Sequence, residues 1–113
     1  MNSDKRLKKD ITVMNNALDK ILSINGYYFT FKKNNEKSIG VIAQEVEQVF
    51  PEIVNTASDG IKTVSYSNLV APLIEAVKAL NAKITQVWNL YFDQQQQINQ
   101  LEQRIETLEN KLP

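Results

Sequence analysis

Ser3-Asp4-Lys5-Arg6-Leu7-Lys8-Lys9-Asp10-Ile11 sets a hydroxyl among lysines at the start of a chain that contains no histidine and no cysteine. Without those two residue types, metal sites and catalytic triads of the usual kind lose their main ligand and base. Thiolate chemistry and a disulfide framework are excluded as well. A serine hydroxyl is a poor nucleophile and needs a base. Where histidine is absent, lysine is the natural candidate, and it serves only when neutral, a form that desolvation favours. Taken by itself, however, a basic run of this kind reads as a solvated segment.

The bulk numbers bound the setting. A length of 113 residues suggests one small domain, and 42% hydrophobic residues is ordinary for a soluble globular protein. The 13 basic and 13 acidic residues cancel, which argues against a sequence-independent nucleic-acid binder. No apolar run approaches the roughly 20 residues that span a bilayer. No signal peptide follows Met1, which reads as an expression start on a fragment of something longer.

The elements that must position the N-terminal segment fall into two parts, a globular head over residues 3–66 and a long helix over residues 67–113. The head changes character every ten residues or so and reads as an α+β unit. Val13, Ala17, Ile21 and Ile24 have helical spacing, with Asp10 or Thr12 as a start cap and Gly26 as the stop. Tyr27 to Lys33 reads as a strand, Lys33-Asn34-Asn35-Glu36 as a turn, and Val41 to Phe50 as a second short helix stopped by Pro51. Ile53-Val54 and Ile61 to Tyr66 read as short strands joined at Ser58-Asp59-Gly60. A small sheet with two helices packed on it is expected.

After Asn68 no glycine appears and Pro72 is the only proline before Pro113, which predicts one long helix. It carries a heptad seam. Position a falls at Val70, Val77, Ile84, Tyr91, Ile98, Ile105 and Leu112, and position d at Leu73, Leu80, Val87, Gln94, Leu101 and Leu108. The four-three spacing never slips, the mark of a coiled coil. Such a helix would be about 65 Å long at ~1.5 Å per residue, too long for a small core to cover. Arg104 at g and Glu109 at the next e would attract between parallel chains. Trp88 at e and Leu90 at g widen the stripe and favour more than two chains, whereas Ile98 at a with Leu101 at d points to a dimer. Gln94, within a run of four glutamines, is a polar layer that reads either as register control or as a local weak point.

Three stretches occur in order: Ser3-Asp4-Lys5-Arg6-Leu7-Lys8, then Gly40-Val41-Ile42-Ala43-Gln44-Glu45-Val46, then Tyr66 and Leu69 ahead of Glu75-Ala76-Val77-Lys78. Together they resemble the endosialidase-type intramolecular chaperones found at the C-termini of phage tailspikes, tail fibres and neck appendages. A related domain occurs in a membrane-bound animal transcription factor. The resemblance runs from Ser3 to about Leu80, and a coiled coil follows as in that family. The Lys- and Asn-rich composition suits a phage with an AT-rich genome, for instance a Bacillus-phage neck appendage.

The resemblance implies a parallel homotrimer that assists folding of an N-terminal parent protein and then releases itself through a serine–lysine dyad, with no cofactor and no metal. The dyad falls on Ser3 and Lys8, and the scissile bond on Asn2–Ser3. Five residues of separation suits neither one helix face nor one strand face, so the segment must bend or the pair must come from different chains. Backbone amides near Gly40 or the Gln44 side chain are expected as oxyanion donors. Arg6 and Glu45 would pair across to the second helix or stand as separate surface charges. Tyr66 is expected in the core, and Gly40 at a close backbone approach. Some relatives carry histidine where this chain has Ser38. The protein would be a virion tail or appendage precursor made in the host cytoplasm, with no nucleic-acid or membrane partner, and the segment would leave the mature particle after cleavage. The rival readings are a trimerisation knob that stays on the fibre, a coiled-coil adaptor, and the transcription-factor setting of the same domain.

Overall fold

The computed structural model describes residues 2–113, so the reading of Met1 lies outside it. The chain divides into a first unit that ends at Lys78 and a second, Ala79–Pro113. The class is α+β with a long C-terminal helix, as expected. The described elements are a 3-10 turn Lys5–Leu7, α1 Ala17–Leu22, β1 Tyr27–Thr30, β2 Lys37–Gly40, α2 Ala43–Val49, a 3-10 turn Pro51–Ile53, β3 Val54–Thr56, β4 Lys62–Val64, a 3-10 turn Tyr66–Leu69 and α3 Val70–Glu109.

The first helix is shorter than its spacing predicts. Asn16 sits at its N-cap in the left-handed region, φ 56° and ψ 19°, a conformation a right-handed helix cannot contain. Val13, on the predicted face, is 78% exposed instead. The helix stops at Leu22, where Ser23 Oγ donates to the Lys20 carbonyl at 2.6 Å, so Gly26 is not its terminator.

The expected single sheet is two separate antiparallel pairs. Tyr27 faces Gly40, Tyr28 faces Ile39, Phe29 faces Ser38 and Thr30 faces Lys37 in the first. Its turn is held by Asn34, whose Oδ1 accepts the Glu36 N–H at 3.1 Å, and by Asn35 at φ 58°, a conformation asparagine tolerates. In the second pair Val54, Asn55 and Thr56 face Val64, Thr63 and Lys62. The connecting turn uses Gly60 at φ 87°, with Asp59 Oδ1 accepting the Ile61 N–H at 2.9 Å.

Ala17, Val46, Phe50 and Ala76 form the buried apolar core, joined by Pro72 in the first turn of α3, where a missing N–H costs nothing. Pro72 and Ala76 are one turn apart, so they share a face. They occupy heptad positions c and g. The a and d residues of the same turns, Val70, Leu73 and Val77, stay exposed. The helix thus anchors to the head by one stripe and leaves another free.

In the second unit every residue from Leu80 onward is exposed. The apolar a and d residues from Val70 to Leu112 are 45% to 71% exposed, so a single chain buries none of them. Trp88 stacks on Phe92 at 5.9 Å between ring centroids and meets Tyr91 edge-on at 5.7 Å. Gln94 stands exposed in the same row. Among the described residues no helix is long and apolar enough to cross a membrane.

Candidate functional site

The N-terminal motif folds locally. Asp4 is the N-cap of the 3-10 turn, and its Oδ1 accepts the Arg6 backbone N–H at 2.9 Å. The Leu7 N–H donates to the Asp4 carbonyl at 3.0 Å and the Lys8 N–H to the Lys5 carbonyl at 3.1 Å. Lys8 then leaves the turn extended, at φ −122° and ψ 143°. The chain between Ser3 and Lys8 therefore bends.

Asn2, Ser3 and Lys8 are all exposed, and no hydrogen bond joins the Ser3 hydroxyl to the Lys8 amine. Arg6 does not pair with Glu45. Its Nε and Nη2 donate to Asp4 Oδ1 at 3.1 Å and Oδ2 at 2.9 Å, a fork to a carboxylate two residues away. The Arg6 guanidinium holds the Asp4 carboxyl below the usual aspartate range, mainly through the side-chain bond and then through the backbone N–H.

Glu45 is engaged elsewhere. The Tyr27 hydroxyl lies 2.9 and 3.0 Å from its two carboxylate oxygens, and Asn25 Nδ2 donates to it at 3.3 Å. That carboxylate pushes the Tyr27 phenol above its ordinary value, because ionisation would forfeit the bond, and desolvation adds to the effect.

Gly40 ends β2. A β-carbon there would lie 2.5 Å from the Tyr66 hydroxyl and 3.3 Å from Phe29, so the close approach expected of this glycine is present. Tyr66 is 52% exposed rather than core, and its hydroxyl accepts the Val41 N–H at 3.1 Å. That bond takes up the amide next to Gly40 that was expected as an oxyanion donor. Gln44 is exposed on α2. Around Gly40, Tyr27, Tyr28, Ile39 and Tyr66 line an open apolar recess of about 510 Å³.

Sequence reasoning missed the Asp4 cap, the Tyr27–Glu45 bond and the Tyr66–Val41 bond. Only the first had a local signal, an Asp before a short turn. The other two join residues 18 and 25 positions apart.

A family model named for a peptidase and described as chaperone of endosialidase matches residues 3–55. The chain is 32% identical to the long tail fiber protein Gp37 of Salmonella phage S16 over 97% of its own length and 14% of that protein. It is 35% identical to the protein of the same name from Enterobacteria phage K3, over 75% of this chain and 8% of the relative. A third, from Escherichia phage AR1, is 41% identical over 51% of this chain and 6% of its own length. The chain therefore spans a small fraction of each of these relatives. They are long tail fibre proteins of Salmonella, Enterobacteria and Escherichia phages, whereas composition had suggested a Bacillus-phage neck appendage.

Proposed function

We propose that the chain is a member of the chaperone-of-endosialidase family, whose model matches residues 3–55, and that it trimerises a phage tail fibre protein, assists its folding, and cuts itself free before Ser3. The observation that carries the assembly half is the exposed a and d stripe. A head that buries positions c and g while leaving a and d free has a second face made for other helices. The Arg104 and Glu109 side chains form no ion pair among the described residues of one chain, and at heptad positions g and e they would pair between parallel chains.

A fibre built from non-local contacts between chains is slow to find its register. Helices form quickly, so a coiled coil aligns the three chains early and raises the effective concentration of the parent ends. Removing the coiled coil afterwards takes away a template for unfolding and leaves a fibre that persists because reversal is slow.

In the cleavage step Ser3 Oγ attacks the carbonyl carbon of Asn2, and Lys8, as the neutral amine, accepts the hydroxyl proton. A carbon–oxygen bond forms. The oxyanion collapses, the Asn2–Ser3 carbon–nitrogen bond breaks, and Lys8 returns the proton to the leaving amine. Water then hydrolyses the Asn2 ester, releasing the parent's carboxylate and restoring the Ser3 hydroxyl. Neutral lysine needs desolvation, and both residues are exposed in the single chain. Covering this segment on trimerisation would supply it, so that only assembled chains cut.

The test is to place a fibre segment ahead of Asn2 and follow mass. Residues 3–113 should be released with Ser3 as the new N-terminus, while Ser3→Ala and Lys8→Ala stay whole as trimers. Normal cutting by either variant defeats the dyad. The exposure of Ser3 and Lys8 also fits a knob that trimerises and remains on the fibre; an intact wild-type trimer selects that reading.

A further inference from the structure

We propose that Asp4 and Arg6 are positioning residues, a carboxylate–guanidinium fork that locks the turn Lys5–Leu7 and thereby sets where the Lys8 amine stands relative to the Ser3 hydroxyl. The inference rests on the Ser3–Lys8 reading and deepens it.

The argument begins with what holds this segment. Between Ser3 and α1 the turn is the only regular element. A three-residue turn closed by two backbone bonds is weak alone, since 3-10 geometry is poor and short runs do not propagate. Asp4 adds three bonds, accepting from the Arg6 backbone N–H, Nε and Nη2. Two of them form the planar bidentate match that only arginine offers a carboxylate. One side chain thus caps the turn and ties down the residue inside it. The nucleophile is the residue immediately before the cap, and the base is the residue immediately after the turn. The fork therefore joins two of the four residues that lie between them, and the backbone bonds from Leu7 and Lys8 complete the turn.

The fork is a poor candidate for a stabiliser of the fold. The Arg6 side chain is 88% exposed and that of Asp4 45%, and exposed ion pairs contribute little to global stability. Its effect is local and geometric. The other partner considered for Arg6, Glu45, already accepts from Tyr27 and Asn25. The depressed Asp4 carboxyl keeps the fork charged at every pH where an amine base would work.

The test measures first-order self-cleavage of the full chain behind a fibre segment, as a function of pH, in wild type, Asp4→Ala, Asp4→Asn, Arg6→Ala and Arg6→Lys, with Ser3→Ala as the uncut control. A misplacement of about 1 Å can cost on the order of 10²-fold in rate. Asp4→Ala should lower the high-pH plateau by about that factor. Trimer mass, melting temperature and the pH of half-maximal rate should not move. Asp4→Asn keeps the cap oxygen and should recover part of the rate, and Arg6→Lys, which lacks the fork, should behave like Arg6→Ala. Wild-type rates in Asp4→Ala overturn the proposal. Loss of trimer or of melting temperature in step with the rate also overturns it, because that makes the pair structural. A shifted pH midpoint with an unchanged plateau overturns it too, by making Asp4 an electrostatic partner of the base. If wild type stays whole or Ser3→Ala is cut, the dyad itself has failed, and the positioning role falls with it.

Discussion

The Tyr66 hydroxyl stands over Gly40, 2.5 Å from where a β-carbon on that residue would lie, while it accepts the N–H of the next residue, Val41, at 3.1 Å. The glycine is needed for space, since Gly60 is the glycine with positive φ among the described residues. The contact ties the end of β2 to the 3-10 turn that leads into α3. Gly40→Ala should therefore destabilise the head by about 1–3 kcal/mol, the usual range for overpacking. Tyr66→Phe loses one hydrogen bond, worth about 0.5–1.5 kcal/mol. The double variant should cost less than the sum, because removing the hydroxyl makes room for the methyl. Urea unfolding midpoints check all three, and an unmoved midpoint for Gly40→Ala would show that the neighbours yield freely.

Tyr27 provides a pH signature of the head. Its phenol donates to Glu45 and is held above the ordinary value of about 10. A raised native value means that the stabilising contribution is complete below the unfolded value and disappears as pH climbs through the native one. Ultraviolet titration should place Tyr27 as a late-ionising tyrosine. Glu45→Gln should bring it down, since a neutral amide oxygen accepts the phenol's hydrogen bond more weakly than a carboxylate and carries no charge to oppose the phenolate.

Asp4 titrates at the other end of the scale. Its native value lies below the ordinary ~3.9, so the fork is fully formed above that ordinary value and is lost as pH falls through the lower native one. Carbon-13 shifts of the Asp4 carboxyl should show the depressed midpoint in the whole chain. Arg6→Ala should raise it toward the ordinary range without restoring it fully, because the side-chain bond is the main cause of the shift while the backbone N–H bond remains.

The seam gives a prediction about size. Charged residues in place of Ile98 and Leu101 should convert the proposed trimer to monomer by light scattering. Helicity should fall with it, as an isolated surface helix is marginal in water without a packed face. A trimer that survives both changes would mean that the a and d stripe is not what joins the chains.

Legibility in the sequence followed the range of the forces involved. The long helix was readable because its signal repeats every seven residues and no glycine interrupts it. The turns at Asn34 and Asp59 were readable because asparagine, aspartate and glycine carry local geometry. The first helix was overextended, since apolar spacing at Val13 and Ala17 says nothing about the left-handed Asn16 between them. Strand β2 went unseen because Lys37-Ser38-Ile39-Gly40 has little strand propensity and exists by pairing with β1. At the site, motif order pointed to the Ser3 segment, but neither reading of Arg6, a pair with Glu45 or a separate surface charge, included its bond to Asp4. The fork to Asp4 depends on a turn whose formation composition does not reveal. Tyr66 was expected in the core, whereas it stands half exposed with its hydroxyl bonded to the Val41 N–H, 25 positions away.

The separation of two stripes on α3 makes folding a matter of concentration for one part of the chain and not for the other. The head completes its core with Pro72 and Ala76 from its own helix, a first-order event indifferent to dilution. The a and d residues have no such partner within the chain, so under the proposed assembly their burial obeys mass action. Heating a dilute sample should then resolve two transitions where a concentrated one shows a single melt. The earlier of the two should climb as protein is added while the later stays fixed. Under that proposed assembly, the local concentration of chains would decide how much of the a and d stripe is buried at a given moment.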